Sequence, residues 1–161
     1  FVNYPHIKED GVRLGLLLYG FIPNGKYRVK SYKDFQGLKP VMELQTRLDR
    51  IERVQKGDSI GYGGAYVCPS NGFIGIMPIG YANGFCPTGD FSVKIKNNFY
   101  KVVGRVCMNH SFIDLKNSCL KVGDTVTVAR SQSDFLKLSS QNFSVYRTLT
   151  TIGGCNKKYY V

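Results

Sequence analysis

Two tyrosines set among glycines are the residues of this chain best suited to chemistry: Tyr62 in Ile60-Gly61-Tyr62-Gly63-Gly64, and Tyr81 in Pro78-Ile79-Gly80-Tyr81-Ala82-Asn83-Gly84. A third segment, Gly104-Arg105-Val106-Cys107-Met108, adds a permanent cation. A phenol has a free pKa near ~10 and becomes a useful general base only where its surroundings lower that value. A cation within hydrogen-bonding reach does so by favouring phenolate, and Arg105 is the candidate in this chain. Glycines on both sides of Tyr62 let the backbone bend and a ligand approach closely. Spacing alone favours a bulged strand edge with a surface tyrosine, so the residues by themselves do not establish the catalytic reading.

Metal chemistry finds little support. The two histidines, His6 and His110, and the five cysteines, Cys68, Cys86, Cys107, Cys119 and Cys155, are widely separated, with no Cys-x-x-Cys pair. A structural zinc site needs about four close N or S ligands, so no metal is expected. An odd, scattered cysteine set points to a reducing compartment, the cytoplasm. No apolar run approaches the ~18 residues of a membrane span. The chain opens at Phe1 with no signal-peptide pattern, which reads as a part of a longer polypeptide.

A net charge of +11 raises nucleic acid as a partner. Most lysines are dispersed, which favours a solvated basic surface. The one aromatic-basic cluster, Lys26 to Phe35, would suit a β-barrel that stacks and neutralises a single strand.

The elements that must position these residues read mostly as strands. Val12 to Gly20 looks like a buried strand entering a turn. Asn24-Gly25 and Gly37-Leu38-Lys39-Pro40 bracket a polar connector. Val41 to Val54 fits helical and alternating periodicity alike. Gly57-Asp58 and Gly123-Asp124 are turn pairs, each leading into a β-rich run. Ser92 to Lys96 and Phe99 to Val103 form a hairpin about Asn97-Asn98, because asparagine tolerates positive φ. Phe112 to Leu115 and Thr125 to Ala129 add strands, and Phe143 to Thr150 suits a short helix.

In their order and spacing the three glycine-rich segments resemble the carboxy-terminal domain of alanine racemase, a pyridoxal phosphate enzyme. The resemblance implies a mostly β fold: an antiparallel, Greek-key-like barrel or sandwich of about eight strands with one or two short helices. It would occupy residues 37–161. Residues 1–36 would be a connector and the last strand of a (β/α)8 barrel otherwise absent from the chain. It also makes strand the better choice for Val41 to Val54.

The same resemblance implies roles. Tyr62 matches one of the family's two catalytic bases, acting in the active site of the neighbouring subunit of a head-to-tail homodimer. Tyr81 matches the tyrosine that narrows the entrance, and Met108 the residue whose backbone N–H helps hold the substrate carboxylate. Arg105 and Ile152 match positions along the entrance. Val12-Arg13-Leu14-Gly15-Leu16 is similar to the cofactor strand, so that Arg13 would meet the pyridine nitrogen and Gly15 and Leu16 the phosphate. An arginine cannot accept the pyridine proton, so the cofactor would be a weaker electron sink, which restrains side reactions. The chain departs from the pattern at Asn83 and Asn109, where aspartate is usual, at Pro87, and at Gly154, which stands in place of a phosphate-contacting tyrosine. The cofactor lysine has no counterpart here, so the chain alone is expected to be inactive. The implied activity is interconversion of L- and D-alanine for peptidoglycan. A non-catalytic dimerisation module is a further alternative.

Overall fold

The computed structural model describes residues 6, 9–11, 13–22, 37–139 and 144–160. The chain divides into two compact units, Phe1–Met42 and Glu43–Val161.

In the first unit the expected strand from Val12 to Gly20 is replaced by a 3-10 turn, Leu16–Tyr19; Val12 itself lies outside the described residues. Leu18 N–H donates to Gly15 O at 3.1 Å and Phe21 N–H to Leu16 O at 3.0 Å. Gly20 closes the turn with φ 79°. A strand without a ladder leaves its N–H and C=O groups unpaired. Among the described residues this unit contains no strand to pair with, and the segment bonds within its own turn and, through Tyr19 O, to Val41 N–H at 3.2 Å. Leu16 is buried, whereas Leu14 and Leu18 are exposed.

The second unit is mostly β. Among its described residues are nine strands: β1 (Leu44–Arg47), β2 (Arg50–Val54), β3 (Ser59–Ile60), β4 (Tyr66–Val67), β5 (Gly72–Met77), β6 (Ser92–Ile95), β7 (Asn98–Val103), β8 (Ser111–Lys116) and β9 (Thr125–Ala129). Two helices follow, α1 (Gln132–Leu138) and α2 (Val145–Cys155). Seven strands form one sheet in the order β1-β9-β6-β7-β8-β5-β2, and β3 with β4 makes a separate hairpin. Every pairing is antiparallel.

β1 and β2 stand at opposite ends of that order, yet only Leu48 and Asp49 separate them in the chain. The sheet must therefore curl until its edges meet. Leu48 marks the seam: its N–H donates to Asp124 O at 3.0 Å, while Asp49 N–H donates to Ile76 O in β5 at 2.9 Å. The Leu48 side chain is buried inside. Within Val41 to Val54 the chain therefore forms two strands, from Leu44 and from Arg50, with a corner between them.

Period-2 patterning builds the core. In β6, Val93 and Ile95 point inward while Ser92 and Lys94 face solvent. In the β6–β7 hairpin Ile95 pairs with Asn98, so the two-residue turn is Lys96-Asn97, one position earlier than expected. The positive φ, 54°, falls on Lys96. The buried face decides the register, because this pairing sets Val93 opposite Tyr100, both inside. The helix near the carboxy terminus is present as α2, and Phe143 lies outside the described residues. α1 had not been located from the sequence. Ser131 caps it, its Oγ accepting from Asp134 N–H while the Asp134 carboxylate accepts from Ser131 N–H at 2.9 Å.

Candidate active site

Tyr62 sits in a 3-10 turn, Tyr62–Gly64, at the tip of the β3–β4 hairpin. A small apolar cluster of Val54, Cys68, Ile74 and Val103, with Ile60, Tyr66 and Phe112 packed on it, holds the hairpin down. Tyr66 Oη donates to Asp114 Oδ2 at 3.3 Å, pinning β4 to β8. Burial, then the neighbouring Asp114 charge, pushes the Tyr66 phenol up from its ordinary pKa, so Tyr66 is a structural hydroxyl. Gly61 enters the Tyr62 turn at φ 76°, ψ −177°, a conformation essentially restricted to glycine. Tyr62 is thereby turned outward, with 68% of its surface exposed.

Tyr81 occupies a second 3-10 turn, Tyr81–Asn83, entered at Gly80. The turn is capped at both ends. Gly80 N–H donates to Asn83 Oδ1 at 3.1 Å, and Gly84 N–H to Tyr81 O at 3.0 Å. Gly84 is in the left-handed region, φ 80°.

The loop from Gly104 to His110, between β7 and β8, runs between the two turns. At one end a Cβ built on Gly104 would lie 3.2 Å from Ile60 O, and one on Gly61 3.5 Å from Arg105 N, so loop and hairpin are in contact. Arg105 reaches back along the Tyr62 turn, with Nη1 4.0 Å from a Cβ placed on Gly63. At the other end Tyr81 N–H donates to Cys107 O at 3.1 Å and Ala82 N–H to Met108 O at 3.0 Å. Cys107 is buried and its N–H donates to His110 O at 2.9 Å, which tightens the loop. The His110 ring stands edge-on to Phe112 at 5.3 Å, beneath Gly61.

The result is one rim on which Tyr62, Arg105, Met108 and Tyr81 are all open to solvent. Met108 gives its carbonyl to Ala82, while among the described residues its own N–H meets no acceptor. Asn83 and Asn109 are neutral, so within Gly104–His110 the permanent ionic charge is that of Arg105. Among the described residues the Met108 N–H has no acceptor and the Arg105 guanidinium no carboxylate, an arrangement that suits a small anion such as a carboxylate. The exposed Tyr62 and Tyr81 on the adjoining turns carry hydroxyls, a group able to donate or accept a proton.

Ile152, in α2, is buried against the end of the Tyr81 turn, with Cγ1 3.1 Å from a Cβ placed on Gly84. Arg13 and Gly15 are exposed in the first unit and Leu16 is buried there. Lys26 to Phe35 falls outside the described residues. No group of three or more potential metal-ligating side chains occurs among the described residues, and no described helix is long and apolar enough to cross a membrane. Sequence reasoning missed Asn83 and Asn156 as structural partners of the Tyr81 turn. Gly80-x-x-Asn83 was legible as a cap; the reach of Asn156 was not.

Comparison with known proteins gives these loops a context. Residues 41–159 match the family model described as "Alanine racemase, C-terminal domain". An alanine racemase of Lactobacillus gasseri is 30% identical over 131 residues, covering 81% of this chain and 35% of the relative. That of Helicobacter pylori is 31% identical over 156 residues, covering 92% of this chain and 41% of the relative. The solved alanine racemase of Clostridium difficile superposes with a TM-score of 0.79 at 31% identity, covering 94% of this chain and 40% of that one. The chain spans about a third of the length of the first curated relatives it matches.

Proposed function

Because the chain belongs to the alanine racemase family, through that family's C-terminal domain, we propose that it is part of a racemase that interconverts L- and D-alanine. One observation carries the reading: Tyr62, Arg105, Met108 and Tyr81 are presented together on three adjoining loops, outward and unengaged by the core. Their supporting elements are specialised for that display, with a glycine-only backbone at Gly61 and a backbone-to-backbone seam between Tyr81 and Met108.

In this proposal Tyr62 takes or returns the proton on one face of the substrate Cα. The Met108 N–H holds the substrate carboxylate, and Arg105 adds the attraction that brings an anion to the rim. Tyr81 narrows the entrance, and Ile152 supports the turn that carries it. An exposed Tyr62 fits a hydroxyl that completes the active site of the partner subunit in a head-to-tail homodimer. The second base is the cofactor-binding lysine, which lies outside this chain, and the chain alone does not racemise.

The residues of the first unit suit pyridoxal phosphate. Arg13 is an exposed guanidinium that donates without accepting, and Gly15 is an exposed glycine ahead of the Leu16–Tyr19 turn, where a phosphate can approach the backbone closely. Bound there, the cofactor would supply the electron-withdrawing ring that makes the substrate Cα–H acidic. Arg13, Gly15 and Leu16 would hold it at the end of a cofactor barrel. The proposed setting is the cytoplasm, where D-alanine is supplied for peptidoglycan.

The test is Tyr62→Phe in the complete polypeptide, with racemisation followed by chiral separation. Removing a positioned acid–base group is expected to cost about 10²–10⁴-fold in rate with the fold intact. Unchanged racemisation would overturn the assignment of Tyr62.

A further inference from the structure

The turn that presents Tyr81 is held from a distant part of the chain. Asn156, the residue that ends α2, donates from Nδ2 to Ile152 O and to Asn83 O, each at 2.9 Å. The first bond satisfies a carbonyl that the end of a helix leaves unpaired. The second crosses 73 residues of sequence to the last residue of the Tyr81 turn. Asn83 in turn accepts the Gly80 N–H through its own side chain, so its backbone and side chain are both engaged. The backbone bonds from Tyr81 and Ala82 to Cys107 and Met108 then tie the turn to the loop that bears the free N–H.

We infer that Asn156 is a positioning residue for substrate: it clamps the Tyr81 turn, and through it the Met108 loop, at one end of the candidate site. This rests on the functional reading above. An alanine there would free Asn83 O and leave the turn, on that side, to the packing of Gly84 against Thr151 and Ile152. The Tyr62 hairpin is anchored by a separate cluster and keeps its place. Loss of Asn156 should therefore weaken carboxylate placement more than proton transfer.

The experiment compares Asn156→Ala and Asn156→Gln with the parent in the complete polypeptide, reading amide hydrogen exchange and alanine kinetics together. Asn156→Ala is expected to speed exchange at the Tyr81 and Ala82 amides by roughly tenfold or more, leaving Val93 and Ile113 unchanged. It should raise KM by roughly tenfold with kcat within about twofold, because the interaction lost is made with bound and reacting substrate alike. Asn156→Gln, which keeps the donor, should restore much of both. Equal loss of protection in the sheet core would make Asn156 a general stability residue, and a fall in kcat alone would put its effect on the reacting state rather than on substrate placement; either would overturn the inference. Unaltered exchange at Tyr81 and Ala82 would overturn it as well. A parent that does not racemise alanine would overturn the functional reading instead, while the exchange data would still decide whether Asn156 clamps the turn.

Discussion

Gly80→Ala tests the seam between the two halves of the site. Gly80 has φ −144° and ψ −165°, an extended backbone that any residue adopts, so the demand for glycine here is one of space. A Cβ at this position would lie 2.6 Å from the Met108 carbonyl carbon and still closer to the Cys107 and Met108 carbonyl oxygens. Ordinary contact begins at 3.4 Å, so the rigid 107–108 backbone would have to withdraw by more than an ångström at its closest oxygen. That withdrawal breaks the Tyr81 and Ala82 hydrogen bonds, each contributing about 1 kcal/mol net. Overpacking adds about 1–3 kcal/mol, and the stiffer unfolded chain returns about 0.4–1 kcal/mol. The net expectation is a loss of roughly 2–4.6 kcal/mol, the sum of these three estimates. Urea unfolding followed by far-ultraviolet circular dichroism measures it, since the chain has no tryptophan. An unchanged or higher midpoint would refute the close approach of Gly80 to the Met108 loop.

At Gly61 the argument is reversed: a Cβ would have room, 3.4 Å from the Phe112 ring, but the backbone conformation excludes it. Gly61→Ala should cost about 1–3 kcal/mol by the same unfolding assay, and a neutral result would show that the Tyr62 turn relaxes freely. Gly154 lies in α2 with nothing within 4 Å of a built Cβ; Gly154→Ala should stabilise by about 0.5–1 kcal/mol, and destabilisation would mean an unseen contact. Burial alone would raise the Asp134 pKa, but N–H donors from Ser131 and Arg130, with the Ser131 hydroxyl and Lys137, bring it below the usual carboxylate value. Its stabilisation of α1 is therefore present above the unfolded pKa of about 3.9 and lost as pH falls through the lower folded value. Acid titration of unfolding midpoints should show this loss, reduced in Asp134→Asn; an identical acid profile for both would contradict it.

The parts of the site legible in the sequence were those whose signal is local. Glycines on either side of Tyr62, and Gly80 before Tyr81, mark places where backbone conformation or close packing forbids a side chain. The alternation of Val93 and Ile95 with lysines read directly as a half-buried strand. Other features depended on partners far along the chain. The apolar run from Leu14 to Tyr19 looked like a buried strand, yet a strand exists only with a neighbour, and the segment folds as a turn that closes on itself. The hairpin register slipped by one because turn preference favoured Asn98, whereas the buried pair Val93 and Tyr100 decided it. Asn156 gave no signal, because its partner at Asn83 is brought to it only by the packing of α2.

The proposed racemase function requires Tyr62 to transfer the proton on one face of the substrate Cα. The direct measurement is Cα hydrogen–deuterium exchange, from each alanine enantiomer separately, in heavy water with the complete polypeptide. Tyr62→Phe should abolish or greatly slow exchange from one enantiomer and preserve exchange without inversion from the other. Equal, undiminished exchange and inversion from both enantiomers would contradict it.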